Sequence, residues 1–260
     1  MDHWEVPGVT NRSAEDSSKL PSGGVPPAPG HQAVLSVLEA SGPTRGVALV
    51  LHGGKSHSRE PVEALHLSPA RMVPFARHLH RVGRKHGLAV WSLRNSVRGW
   101  NGPDMSPVQD ARWALRQIEE QHPGVPVFLV GHSMGGLTAV CAAGHPQVEA
   151  VVALAPWLSP QTPTSGVAGR KVLIVHGTLD RWTSPSQSLA FARRGSEAAA
   201  SMQYVALKGA GHFMLRKVRL WQILATGFVI KAFSESTGAT VRPPRAFGQL
   251  LPESSVQVTL

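Results

Sequence analysis

Gly131-His132-Ser133-Met134-Gly135-Gly136 sits between two segments of different character. Before it runs Val125-Pro126-Val127-Phe128-Leu129-Val130, an apolar stretch of strand type. After it comes Leu137-Thr138-Ala139-Val140-Cys141-Ala142-Ala143, rich in small residues and helical in character. A serine between two glycines at a strand-to-helix turn is the pattern of a nucleophile elbow. The turn is so sharp that side chains at positions 131 and 135 would collide with the neighbouring strand or helix. The serine oxygen is then held clear of the sheet edge, a presentation suited to attack on a carbonyl carbon.

Outward from the elbow, strand and helix patterns alternate. Residues 33–38 read as a strand, as does the apolar run 46–51, which ends at His52-Gly53-Gly54. Strands are expected again at 88–93, 148–154, 171–175 and 203–207. Apolar runs without polar alternation fit strands buried on both faces of a parallel sheet. Residues 69–86 place Met72, Phe75, Ala76, Leu79 and Val82 at helical spacing, and 107–121 do the same with Val108, Ala111, Leu115 and Ile118. Ser106, before Pro107, is the expected N-cap of that second helix. A helix over 213–233 closes the pattern. The alternation predicts an α/β fold: a mostly parallel central sheet with helices on both faces. In such sheets the active site lies at the carboxyl ends of the strands.

Three segments follow from composition. Residues 1–30 are polar and then proline- and glycine-rich, and read as a disordered lead-in. Residues 31–235 form the expected folded domain. Residues 236–260, with Arg242-Pro243-Pro244-Arg245, read as a flexible tail.

A serine hydroxyl needs a base within hydrogen-bond reach, and the base needs an orienting group. For an elbow serine the chain order is serine, acid, histidine. After Ser133, one acid falls just past a buried strand: Asp180, in His176-Gly177-Thr178-Leu179-Asp180. The segment Ala155-Pro156-Trp157-Leu158-Ser159, after the preceding strand, holds no acid. After the last strand, Gly209-Ala210-Gly211-His212 supplies a histidine in a glycine loop. Ser133, Asp180 and His212 thus occupy three different loops at one sheet edge. The oxyanion formed on attack needs preplaced donors. The backbone N–H of Met134 and that of Gly54, with Gly53 beside it, are the candidates.

With these residues in place, the chain resembles the α/β-hydrolase family across roughly 45–235. The resemblance rests on H-G-G after an early strand, G-H-S-M-G-G at the elbow, H-G-x-x-D at the acid and G-x-G-H at the base. It implies a central, mostly parallel sheet and ester or amide chemistry without a cofactor. Many relatives carry a helical lid domain between Trp157 and Lys171; this chain has no room for one and is similar to a minimal, lidless member. Only one strand candidate precedes Gly46, where relatives often have two, and the stretch 93–102 only partly resembles the family's arginine-glycine loop.

Other features narrow the function. The chain has 260 residues, and its 42% apolar content suffices for a large core. No apolar run approaches the about 18 residues of a membrane span. The first residues lack the basic-then-apolar pattern of a secretory signal. The single cysteine, Cys141, permits no internal disulfide and reads as packing behind the elbow. These points favour the cytoplasm. No H-E-x-x-H sequence or clustered Cys/His spacing suggests a metal. Gly53-Gly54-Lys55-Ser56 resembles the end of a phosphate-binding loop, but the glycine that motif requires is Leu49 here. The net charge is +10, with 19 of 26 basic residues arginine. The basic residues are densest over 59–98 and 170–219, without interleaved aromatics, so no nucleic-acid partner is expected.

The expected activity is hydrolysis of a small-molecule carboxylic ester through an acyl-enzyme. A thioesterase or acyltransferase with the same three residues, and a catalytically silent binding scaffold, are the alternatives. Trp100, Trp157, Leu158, Trp182 and Phe213 are candidates for the substrate pocket. Lys55, Arg59, Arg98 and Arg181 are candidates for attracting an anionic substrate group. Oligomeric state is not legible.

Overall fold

A computed structural model describes residues 33–251 and 257–260. The lead-in expected over residues 1–30 lies outside the described residues. Eight strands form one sheet in the order β1-β3-β2-β4-β5-β6-β7-β8. They are β1 (Val34–Leu38), β2 (Gly46–Leu51), β3 (Leu88–Arg94), β4 (Val127–His132), β5 (Val148–Leu154), β6 (Lys171–Gly177), β7 (Ser201–Leu207) and β8 (Gln257–Thr259). Edge strand β1 runs antiparallel to β3, and all other pairs are parallel.

The helices are α1 (Leu67–Gly83), α2 (Ser106–Gln121), α3 (Met134–Ala142), α4 (Pro185–Gly195), α5 (Val218–Thr237) and α6 (Phe247–Leu250). Side chains alternate across a strand, so each central strand feeds two cores. Ala48, Val50, Phe128 and Val130 pack with Phe75 and Leu79 of α1 and Trp221 and Phe233 of α5. Val47, Leu49, Val127 and Leu129 pack with Leu115 and Ile118 of α2, Val140 of α3 and Phe191 of α4. Full burial of each such side chain contributes about 1.5–3 kcal/mol. This two-sided demand explains why the sequence runs are apolar at every position.

The topology also fixes where a site can form. From β2 the chain moves outward to β3, then returns to place β4 on the other side of β2. The strand order reverses there, and the loops after β2 and β4 diverge around a crevice at the carboxyl edge. The crevice is uncovered from β5: residues 155–170 contain no element longer than a short 3-10 turn, Ser165–Val167. Among the described residues there is no separate lid domain.

Three expectations need correction, and one element is new. Helix α4 was not expected from the sequence. Helix α5 begins at Val218 and not at position 213, because Met214 and Lys217 adopt left-handed backbone (φ 58° and 57°) that breaks a helical run. Ser106 is the first residue of α2, and its N-cap is Met105, without a side-chain cap; the Ser106 hydroxyl instead receives a hydrogen bond from Asn101 Nδ2 at 3.2 Å. The tail expected after position 235 is packed in its described residues. Val241, Phe247 and Leu251 are buried in the α1/α5 core, and β8 pairs with β7.

Candidate active site

Ser133 lies at the turn from β4 to α3 with φ 57° and ψ −121°, a region costly for any residue with a side chain. Hydrogen bonds hold it there. Its N–H donates to Leu154 O at 3.0 Å, and its carbonyl accepts from Gly136, Leu137 and Trp157 N–H groups. The flanking glycines are required by contact. A Cβ at Gly131 would overlap Gly135 O, and one at Gly135 would stand 2.5 Å from Leu51 O.

His212 follows β7 and links Ser133 to Asp180. Its Nε2 is 3.1 Å from Ser133 Oγ, and its Nδ1 is 2.8 Å from Asp180 Oδ2. The Asp180 side chain is fully buried. Burial alone would raise its pKa, but hydrogen bonds from His176, His212 and the Thr183 backbone overcome this and hold it well below the ordinary carboxylate range. An ionised Asp180 can only accept, so His212 Nδ1 carries the hydrogen. The Nε2 lone pair is then directed at the Ser133 hydroxyl.

The two oxygens of Asp180 have separate tasks. Oδ1 accepts from the N–H groups of Trp182 (2.8 Å) and Thr183 (2.9 Å), which shapes the turn after β6. Oδ2 faces His212, His176 Nε2 at 3.1 Å and the Thr183 hydroxyl at 2.9 Å. His176 is wholly buried, and its Nδ1 lies 2.9 Å from Ser188 Oγ of α4. A histidine at the end of a buried apolar run reads from sequence as a core residue. The H-x-x-x-D spacing at a strand end was the signal that could have linked it to the acid.

His132 and His52 each hold a defined tautomer. The His132 Nε2–H donates to the His212 carbonyl at 2.9 Å, which ties the loop after β7 to the turn after β4. Burial, aided by the neighbouring His212, lowers the His132 pKa to about 3. His52 accepts from Asn95 N–H at Nε2 (3.1 Å), so its Nδ1–H donates to Gly53 O at 2.6 Å. Burial lowers its pKa to about 4. Because the peptide is planar and trans, a tethered Gly53 carbonyl turns the Gly54 N–H the opposite way.

The loop after β2 is zipped to the loop after β3. Lys55 N–H donates to Arg98 O and Trp100 N–H to Lys55 O, at 2.8 and 2.9 Å. This brings Gly54 against Met134: a Cβ at Gly54 would overlap Met134 Cε and Arg98 O. Among the described residues, neither Gly54 N–H nor Met134 N–H has a hydrogen-bond partner.

The candidate pocket residues divide. Trp182 and Phe213 pack edge-on at 5.3 Å, and both lie against the His212 ring, at 6.4 and 5.3 Å. Trp100 and Trp157 form a second edge-on pair at 6.2 Å. Leu158 is 4% exposed and belongs to the core beneath α3 and α4, so its assignment to the pocket is corrected. Of the candidate cations, Lys55 and Arg98 are paired with Glu60, and Arg59 with Asp104. Arg71 of α1, not singled out from sequence, stacks its guanidinium 4.7 Å above the Phe213 ring. Among the described residues no group of acids, histidines or cysteines is placed to hold a metal ion.

Comparison with known proteins agrees with this architecture. A thermophilic esterase from the planctomycete Thermogutta terrifontis, solved with propionate bound, superposes with a TM-score of 0.59 at 16% identity, over 84% of this chain and 98% of that one. The chain has the α/β-hydrolase fold. An α/β serine hydrolase homologue from Coxiella burnetii shares the α/β-hydrolase fold with a TM-score of 0.58 at 19% identity, over 76% and 92% of the two chains. A monoacylglycerol lipase from Paleococcus ferrophilus does so with 0.53 at 20% identity, over 79% and 100%. Residues 86–171 match the family described as serine aminopeptidase, S33. That span includes the elbow and ends at the first residue of β6. No curated protein matches the chain by sequence.

Proposed function

We propose that this protein is a serine hydrolase that cleaves small-molecule carboxylic esters through an acyl-enzyme. The observation that carries the reading is the continuous hydrogen-bonded line from Ser133 Oγ through His212 to an ionised, buried Asp180. Ser133 Oγ attacks the carbonyl carbon while His212 Nε2 takes its proton. Asp180 fixes the His212 tautomer and stabilises the imidazolium. The N–H groups of Gly54 and Met134 receive the oxyanion; losing one such donor costs about 3–4 kcal/mol of barrier. His212 next gives its proton to the leaving alcohol. Water, deprotonated by His212, then releases the acid and regenerates Ser133.

An ester or thioester carbonyl fits an open crevice lined by the Trp182–Phe213 and Trp100–Trp157 pairs. The esterase and lipase among the similar folds support the same bond type. The test is labelling of the full chain with a fluorophosphonate probe, followed by nitrophenyl esters of increasing acyl length. Labelling of the wild type with none in Ser133→Ala is expected. A folded wild type that fails to label overturns the hydrolase reading. Equal labelling of the variant overturns the assignment of Ser133.

A further inference from the structure

The two stretches of sequence richest in basic residues meet at one place on the fold. Arg77 and Arg81 of α1 face Arg219 of α5 around a cavity of ≈ 490 Å³. That size lies within the range of about 300–1,000 Å³ typical of small-molecule sites. Arg81 is ten residues along α1 from Arg71, about 15 Å further from the catalytic edge.

The lining has a consistent chemistry. Among the described residues it contains no acidic side chain. None of the three guanidinium groups is paired with a carboxylate or hydrogen-bonded among the described residues. Paired surface arginines are available for contrast, since Arg59 and Arg98 have each found an acid. His78 adds an imidazole whose Nδ1 lies 3.2 Å from the buried Thr226 hydroxyl, which fixes the ring. Ile223 and Pro244 supply apolar wall. Three like charges around one space repel each other unless an anion occupies it.

We propose that this cavity is a binding site for a small molecule that carries a phosphate group. Three guanidinium forks present more donors than the two oxygens of a single carboxylate can use. A phosphate, with three terminal oxygens and a charge near −2, uses them better. The apolar wall takes up the body of the molecule. The site is separate from the one proposed for ester cleavage and does not depend on it.

The test is calorimetric titration of the full chain with ATP, pyrophosphate and, as the neutral control, adenosine. Saturable binding of one ATP or pyrophosphate per chain is expected, with none of adenosine. Arg77→Ala and Arg219→Ala should each weaken binding about 10-fold or more, with thermal midpoints showing both folded. Arg116→Ala, an exposed arginine on α2 across the sheet, should leave binding unchanged. Failure of wild type to bind both phosphate probes overturns the proposal. So does equal weakening by Arg116→Ala, which would mean diffuse attraction to a basic surface. Retention on phosphatidylglycerol vesicles or on DNA that is lost with Arg77 and Arg219, without binding of either small probe, overturns it in favour of an extended anionic partner.

Discussion

His176 Nε2 stands 3.1 Å from the same Asp180 oxygen that faces His212 Nδ1 at 2.8 Å. The carboxylate of the proposed triad is therefore held from two sides. One partner is the proposed base, and the other is a buried histidine anchored on Ser188 of α4. His176 acts here as a positioning residue, since it touches Asp180 and not the serine.

Replacing His176 by alanine removes a hydrogen bond to a charged group and leaves Asp180 and Ser188 facing a void. Such a bond is worth about 1.5–3 kcal/mol. We expect kcat to fall about 10- to 100-fold on nitrophenyl esters with little change in KM, and the acid limb of the pH–rate profile to move as the Asp180–His212 pair loosens. His176→Gln, which can donate to Asp180, should recover part of the rate. A purely structural role would give a stability loss with an unchanged pH profile.

Gly54→Ala tests the donor loop. The added methyl overlaps Met134 Cε and Arg98 O, so the loop must shift. We expect kcat/KM to drop about 100-fold or more while the unfolding midpoint changes far less. Wild-type turnover in this variant would show that Gly54 N–H does not receive the oxyanion.

Stability should fall as the solution is acidified from pH 6.5 to 4. His52 and His132 have folded pKa values of about 4 and about 3, below the value near 6.5 of an unfolded histidine. In that window the unfolded chain binds the extra protons, so each histidine removes about 1.4 kcal/mol per pH unit. Asp180, also depressed, keeps its stabilising contribution above about pH 4 and loses it only below. Urea unfolding at several pH values measures the slope, and His52→Gln should reduce it by about 1.4 kcal/mol per pH unit.

Cys141 should react sluggishly with thiol reagents. Burial pushes its thiol to about 11, and the thiolate is the reactive form. We expect slow modification by dithionitrobenzoate at pH 8, accelerated by urea, and full activity in Cys141→Ala. Rapid inactivation by iodoacetamide would contradict this.

The parts that sequence revealed share a physical origin. Ser133, Asp180 and His212 each follow a buried apolar run, and glycines near each mark a turn, so strand ends could be located and the loops assigned. The two-sided burial of β2, β4, β5 and β6 leaves little ambiguity in such runs. What escaped detection depends on contacts across the fold. His176 and His132 look like any polar residue at a strand end until Asp180 and the His212 carbonyl are seen beside them. Arg71 lies far from Phe213 in sequence. The buried face of helix α4, Ser188, Phe191, Ala192 and Gly195, carries one large apolar side chain, and β8 is three residues long. Leu158 follows β5 and so reads as a crevice residue, yet its side chain is buried in the core that also holds Phe191.

The connection between β5 and β6 has one further consequence. Its turn at Pro160 and Gln161 is exposed, and the residues on either side, Ser159 and Thr162, are buried and hydrogen-bonded to each other at 3.0 Å. The two strands leaving and entering that loop are already fixed in register. Because the entropy of closing a loop grows only slowly with its length, this turn is a graft point: a foreign module spliced between Pro160 and Gln161 should leave the strand register on either side of it intact.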